Sequence, residues 1–329
     1  MRTRVLGKDL TVSAVGLGCM GMTHAFGVPA DTKEMTKLLH EAVSLGYIYF
    51  DTAECYTGEN PDGTIAYNEE LVGSALRPYR NNVVIATKFG VHHSPDGLLT
   101  DSSPETIRKS IEGSLKRLGT DHIDLYYQHR IDPNVEPETV AEVMSALIEE
   151  GKITHWGISE TNAEYLRRAN MVCPVTCIQN RYSMMYRDYE ALFPVLEELN
   201  VGYVAFSPLA NGVLSDRYSK NDSFTEKGDY RSFMPQFSPE AFDENKQLFE
   251  LIRSLSAEKN ATPAQISLAW IICKKPYIVP IPGTRKSGRL KENAVSADIV
   301  LTAGEIRAID EKLDNIKMSQ VFGGSKIRK

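Results

Sequence analysis

Four side chains with complementary acid–base chemistry stand where apolar, β-rich runs end. Asp51 closes YIYFD, Lys88 closes VVIATK and His129 closes IDLYYQH, while Tyr56 follows Asp51 in the loop DTAECYTGEN. Singly, each has an ordinary reading: a turn cap for Asp51-Thr52, a solvated Lys or Tyr, a surface histidine beside Arg130. Jointly they suit proton donation to a carbonyl oxygen. Free tyrosine, with a pKa of about 10, is a sluggish acid at neutral pH. A neighbouring ammonium favours the phenolate and lowers that pKa, and a carboxylate keeps the ammonium charged and in place. A histidine opposite can support negative charge growing on the substrate oxygen. No side chain donates hydride, so a nicotinamide or a flavin is implied.

These residues meet only if the strands that carry them lie side by side. Short apolar runs at 15–20, 47–53, 83–89, 123–129, 153–159, 175–180, 201–208 and 277–283 are nearly continuous in apolar character, as in parallel strands buried on both faces. Helix-patterned stretches separate them, such as TKEMTKLLHEAVSLG, with Met35, Leu38, Leu39 and Val43 at helical spacing. SSPETIRKSIEGSLKRLG opens on a start signal at Ser103-Pro104 and stops at Gly119. Eight strands, each followed by a helical stretch, predict a single (β/α)8 TIM barrel over residues 1–329, whose active face lies at the carboxyl ends of the strands. MRTRVLGKDLTVS predicts an N-terminal β-hairpin. The stretch 211–244, after strand seven, carries Tyr218, Phe224, Tyr230, Phe233 and Phe237 and predicts a long loop acting as a lid. His24, Phe26 and these aromatics are candidates for the wall of a substrate pocket.

Composition narrows the classes. Hydrophobic residues at 42% and charged residues at 24% describe a globular chain with a sizeable core, and a net charge of −6 argues against a nucleic-acid partner. Lys8 and Asp9 interrupt any signal-like run, no segment suits a membrane span, and five scattered cysteines fit free thiols in a reducing compartment. The expectation is therefore a cytoplasmic protein. His92-His93 lacks further ligands at metal spacing, which predicts solvated loop residues and no metal site. Cys55 adjoins Tyr56, so its oxidation would touch activity.

Gly16-Leu-Gly18-Cys-Met-Gly21 matches the dinucleotide fingerprint, but no helix pattern follows the third glycine, and Asp51 comes too late for the ribose residue. These glycines are expected instead to let the first strand-to-loop turn approach a ligand.

With those residues in view, nearly the whole chain resembles the aldo-keto reductases. FDTAECYTGENPDGTIAYNEELVGSAL is similar to the family's Asp-Thr-Ala-x-x-Tyr segment and Glu-x-x-x-Gly helix, IATKFG to its lysine strand and DLYYQHRID to its histidine strand. GLGCMGM, HWGISE and PGTRKSGRLKEN resemble a branch of bacterial, fungal and plant reductases. The resemblance implies a tetrad of Asp51, Tyr56, Lys88 and His129, with Tyr56 as general acid in NADPH-dependent reduction of an aldehyde or ketone. It also implies a cofactor site. Ser159 and Gln179 would hold the carboxamide, with Glu160 where many members have Asn, and Phe206 would stack on the ring. Ser207, Leu209 and Gly212 would wrap the pyrophosphate, and Met20 and Gly283 would also bind the cofactor. Glu292 and Asn293 would lie at the adenine. Thr284, Arg285, Lys286 and Arg289 place a hydroxyl and three cations where the 2′-phosphate of NADP+ would lie, which favours NADPH over NADH. Two rivals remain: an NADPH-binding sensor subunit with slow turnover, and a Schiff-base aldolase on Lys88, which a neighbouring Asp51 disfavours.

Overall fold

The computed structural model describes residues 1–94 and 97–324. Strands β1 (Thr3–Leu6) and β2 (Leu10–Ser13) form the N-terminal antiparallel hairpin. The barrel strands follow: β3 (Leu17–Gly18), β4 (Tyr49–Asp51), β7 (Val84–Phe89), β10 (Ile123–Gln128), β11 (Ile153–Ser159), β12 (Cys177–Arg181), β13 (Gly202–Phe206) and β14 (Ile278–Pro280). All eight are parallel, in the order β3-β4-β7-β10-β11-β12-β13-β14. Each matches one expected run. A parallel bridge between Gly18 and Gly283 closes β14 onto β3.

That closure gives Gly16 and Gly18 of GLGCMG a packing cause. A Cβ on Gly18 would lie 2.8 Å from the Ile281 carbonyl oxygen, and one on Gly16 would lie 2.5 Å from the Tyr49 ring. The first and last strands can approach only because these side chains are missing.

Helices surround the sheet: α1 (Thr32–Ser44), α2 (Asn68–Leu76), α3 (Pro104–Leu118), α4 (Pro137–Glu149), α5 (Ala163–Val172), α6 (Phe193–Leu199), α8 (Lys246–Lys259), α9 (Pro263–Lys274), α10 (Ser287–Val295) and α11 (Ala303–Asn315). In α1 the expected Met35, Leu38 and Leu39 are buried, and the Asp31 side chain caps the amide of Glu34. In α3 the Ser103 hydroxyl accepts from the amide of Thr106, and Gly119 ends the helix at φ 64°. The Glu-x-x-x-Gly pattern of α2 has a packing cause. Buried Glu69 accepts from Thr87 on β7 and Arg117 on α3, while a Cβ on Gly73 would meet the Leu118 carbonyl group.

Inside the barrel, alternate residues point to the axis. Tyr49, Ala86, Leu125, Tyr127, Cys177, Val204 and Val279 pack there on Leu6, Leu10 and Val12 of the hairpin, which plugs the floor. Two further hairpins lack any counterpart among the expected elements: β5 (Thr57–Glu59) with β6 (Ile65–Tyr67), and β8 (Val91–Ser94) with β9 (Gly97–Thr100). His92 and His93 therefore stand on a strand rather than in a loop.

The stretch 211–244 is more ordered than a loop. It holds 3-10 turns at Ala210–Ser215, Tyr230–Phe233 and Pro235–Phe237, then α7 (Pro239–Glu244). Tyr218, Phe224 and Phe237 form an aromatic cluster of their own, with ring centroids 4.9–5.6 Å apart, and the Arg231 guanidinium lies 4.3 Å from the Phe224 ring centre. The excursion is pinned to the loop after β3: the amide of Tyr230 donates to the Ala25 carbonyl at 3.0 Å. Among the described residues no helix is long and apolar enough to cross a membrane.

Candidate active site

Because β4, β7 and β10 are adjacent and in parallel register, their last inward residues meet one layer above the Tyr49–Tyr127 floor. Lys88 is fully buried. Its ammonium donates to Asp51 Oδ1 at 2.5 Å, the Thr52 carbonyl at 2.7 Å and the Tyr56 hydroxyl at 3.4 Å, which uses all three N–H bonds. Asp51 Oδ2 accepts from Gln179 Nε2 at 2.7 Å. The Tyr56 and His129 rings meet edge to face, with centroids 5.6 Å apart. The four residues named from strand ends are thus one cluster. Tyr56 is held from both sides: its carbonyl accepts from the amide of Asn68, whose side chain bonds Thr52, Thr23 and the Cys19 carbonyl.

The electrostatics differ in one respect from the expectation. Burial pushes the Tyr56 hydroxyl up to about 12, against the pull of Lys88, so the nearby ammonium does not bring it below its ordinary value. Burial also opposes the charge on Lys88, yet Asp51 and Tyr56 hold its pKa above the ordinary lysine value. Burial, then Arg130 and Lys88, keep His129 well below the usual histidine value and hence neutral at pH 7. Cys55 Sγ lies 3.5 Å from His129 Nδ1, and burial raises this thiol to about 12, so it stays protonated. At neutral pH the centre therefore contains a phenol, an ammonium–carboxylate pair and a neutral imidazole.

Of the expected pocket wall, His24 and Tyr230 reach the centre. The His24 ring lies 6.0 Å from Tyr56 and 4.9 Å from His93, with Nδ1 2.8 Å from the Thr57 carbonyl and Nε2 3.4 Å from the Tyr230 hydroxyl. Phe26 instead packs 5.4 Å from the Arg231 guanidinium.

The expected cofactor residues fall along a path from this centre outward. Ser159 ends β11 and Phe206 ends β13, while Met20 opens the turn after β3. Glu160, at φ 53°, is turned away, accepting from the Tyr189 hydroxyl at 3.1 Å and lying 3.8 Å from Arg181. Between Ser207 and Gly212 the backbone enters the left-handed region four times, at Ser207, Ala210, Asn211 and Gly212, with Leu209 within the same turn. Such strain persists where surrounding structure enforces it, and it clusters at ligand sites. Gly283 forms the barrel seam, and Thr284 Oγ1 caps the amide of Lys286 at 3.0 Å. Lys286, Arg289 and Glu292 line a groove of about 680 Å³, with Asn293 buried on the same helix. Glu292 is bridged at 2.7 Å by Arg217 from the excursion after β13.

Arg285 does not line that groove. Its Nε donates to the Gly21 carbonyl and its NH1 to the Val28 carbonyl at 3.1 Å, latching the loop after β3. Sequence reasoning also passed over Arg130, whose NH1 donates to the His129 carbonyl at 2.7 Å and to Ser159 Oγ at 3.3 Å. Its position beside His129 was the available signal.

Comparison with known proteins agrees with this architecture. Residues 14–314 match the aldo/keto reductase family. An aldo-keto reductase of Strobilurus tenacellus is 37% identical over 318 residues, covering 93% of this chain and 90% of that protein. The glycerol dehydrogenase of Gluconobacter oxydans superposes with a TM-score of 0.82 at 27% identity, covering 95% of each chain. The holo form of an aldo-keto reductase of Bacillus halodurans gives 0.76 at 26% identity over 98% of each. Family match, relative and barrel architecture concur: the chain belongs to the aldo/keto reductase family.

Proposed function

We propose that this chain is a cytoplasmic enzyme, one barrel domain over residues 1–329, that reduces aldehydes or ketones to alcohols with NADPH. The observation that carries the reading is the Asp51–Lys88–Tyr56 chain facing His129. A substrate carbonyl oxygen between Tyr56 and His129 meets two donors. In the tautomer whose Nδ1 accepts from the Cys55 thiol, 3.5 Å away, His129 carries its ring proton on Nε2, where it would hydrogen-bond that oxygen. Tyr56 is a phenol at neutral pH, so it carries the proton that the oxygen must gain. Once the proton leaves, Lys88 stands 3.4 Å from the phenolate it must stabilise. Asp51 keeps that ammonium charged and aimed. Bound nicotinamide supplies the hydride for the carbonyl carbon.

The residues present fit such a cofactor. Lys286 and Arg289 line a groove large enough for a nucleotide end, and their cations suit a 2′-phosphate, with Arg285 closing the neighbouring loop. Glu292 and Asn293 would meet the adenine; Ser207, Leu209 and Gly212 would flank the pyrophosphate, Thr284 would join the 2′-phosphate site, and Met20 and Gly283 would also contact the cofactor. Ser159, Gln179 and Phe206 would orient the ring.

The test is consumption of NADPH and of NADH with 4-nitrobenzaldehyde, in wild type and Tyr56→Phe. We expect faster turnover with NADPH and a fall in kcat of about 10²–10⁴-fold in the variant, with NADPH affinity retained. Equal rates for the two proteins would overturn the role of Tyr56. Tight NADPH binding without turnover in wild type would favour a sensor subunit instead.

A further inference from the structure

Arg130, next to His129, is a cation with no carboxylate partner among the described residues. Its NH1 is spent on the His129 carbonyl and Ser159 Oγ, which fixes the guanidinium beside the catalytic histidine. Its Nε and NH2 edge makes no hydrogen bond among the described residues, and no carboxylate there lies within 4 Å of it. The neighbouring Arg181 is different. It faces Glu160 at 3.8 Å, donates to the Gly323 carbonyl at 2.9 Å and stacks 4.4 Å from Tyr186. Arg231 and Arg217, which anchor the excursion, are paired with Asp229 and Glu292.

Arg130 is only partly exposed. Removing a guanidinium from water without pairing it is expensive, and a planar fork with a free edge is built for bidentate contact with a carboxylate. The guanidinium stands on the active face, since NH1 reaches Ser159 Oγ at the end of β11 as well as the carbonyl of His129. The C-terminal segment passes the NH2 end of that edge: a Cβ on Gly324 would come within 3.7 Å of NH2.

We infer that Arg130 receives a carboxylate carried by the carbonyl substrate, so that the preferred substrates are oxo-acids rather than neutral aldehydes. This rests on the reductase reading above. It gives Arg130 a role in specificity, since the guanidinium would hold the substrate's far end while Tyr56 and His129 hold the carbonyl.

The experiment compares each acid with its own methyl ester, for 4-formylbenzoate and for 4-oxobutanoate, in wild type, Arg130→Met and Arg130→Lys. The quantity read is the ratio of kcat/KM for acid over ester, which divides out general damage to the site. A charge-assisted hydrogen-bonded contact predicts that Arg130→Met lowers this ratio about 10- to 150-fold for at least one pair, with Arg130→Lys restoring part of it. A ratio independent of residue 130 for both pairs, with the esters still reduced, would sink the anion site alone. If wild type reduces neither acids nor esters, the reductase reading fails and this inference goes with it.

Discussion

The Lys88–Asp51 pair is buried enough that its energetics can be worked from the geometry. Lys88 is 0% and Asp51 3% exposed, and their charged atoms are 2.5 Å apart. At an effective dielectric of about 20, Coulomb's law gives an attraction on the order of 6–7 kcal/mol. Much of that offsets the desolvation of two ions, so the pair contributes little net stability against an apolar replacement. Breaking it from one side is another matter. Lys88→Met strands a buried carboxylate with Gln179 as its remaining side-chain donor, and Asp51→Asn leaves a buried ammonium with neutral acceptors, among them the Thr52 carbonyl and the Tyr56 hydroxyl. Each should cost about 3–5 kcal/mol. At this chain length that corresponds to a Tm lowered by roughly 4–7 °C. The double variant removes both charges together, so it should melt no lower than either single variant. The coupling should be at least about 3 kcal/mol. Differential scanning calorimetry of the four proteins at pH 7 measures it. Additivity within about 0.5 kcal/mol would refute the premise that the two ions form one buried unit.

Stability should fall as pH drops below about 6.5. His129 and His24 are both held below the ordinary histidine pKa by burial, so the unfolded chain takes up protons there that the folded chain refuses; Tm measured from pH 5 to 8 should be flat above pH 7 and decline below it, less steeply in His129→Asn. Gly18→Ala should lower stability by about 1–3 kcal/mol, since its Cβ must intrude to 2.8 Å from the Ile281 carbonyl. Gly288→Ala, on a helix with open space around it, should be neutral or slightly stabilising in the same melting assay.

The site was legible in the sequence to the extent that the barrel makes it so. Parallel strands bring their carboxyl ends to one face, and alternation fixes which residues point inward. Asp51, Lys88 and His129 could therefore be placed from strand ends alone, whereas Ser159, Gln179 and Phe206 came only from the family resemblance. What escaped was pairing across the loops. Pro61-Asp62-Gly63 is a turn signal between two short extended runs, yet the catalytic loop around Tyr56 hid the β5–β6 hairpin. Arg285, Lys286 and Arg289 are interchangeable as charges in a string of letters, whereas the seam at Gly18 and Gly283 turns Arg285 toward the carbonyls of Gly21 and Val28. Likewise the sequence cannot say which arginine lacks a carboxylate, because Glu160 could have served Arg130 as readily as Arg181.

Tyr56 illustrates how magnitude decides chemistry that residue type leaves open. Its neighbour Lys88 pulls the phenol toward ionisation, and that pull is the part visible in the sequence. Burial pulls the other way and wins, leaving the hydroxyl at about 12. An acid of that pKa is fully protonated at pH 7 and nearly useless as a base there. The same environment that makes it a reluctant acid makes Lys88 effective. In a site with little water, an ammonium 3.4 Å from the departing charge stabilises the phenolate far more than it would in solvent. On the proposed reading, proton delivery then needs no ionised tyrosine in the resting protein. Oxidation of an alcohol calls for a phenolate to accept the proton, and that species becomes common only as pH rises toward 12.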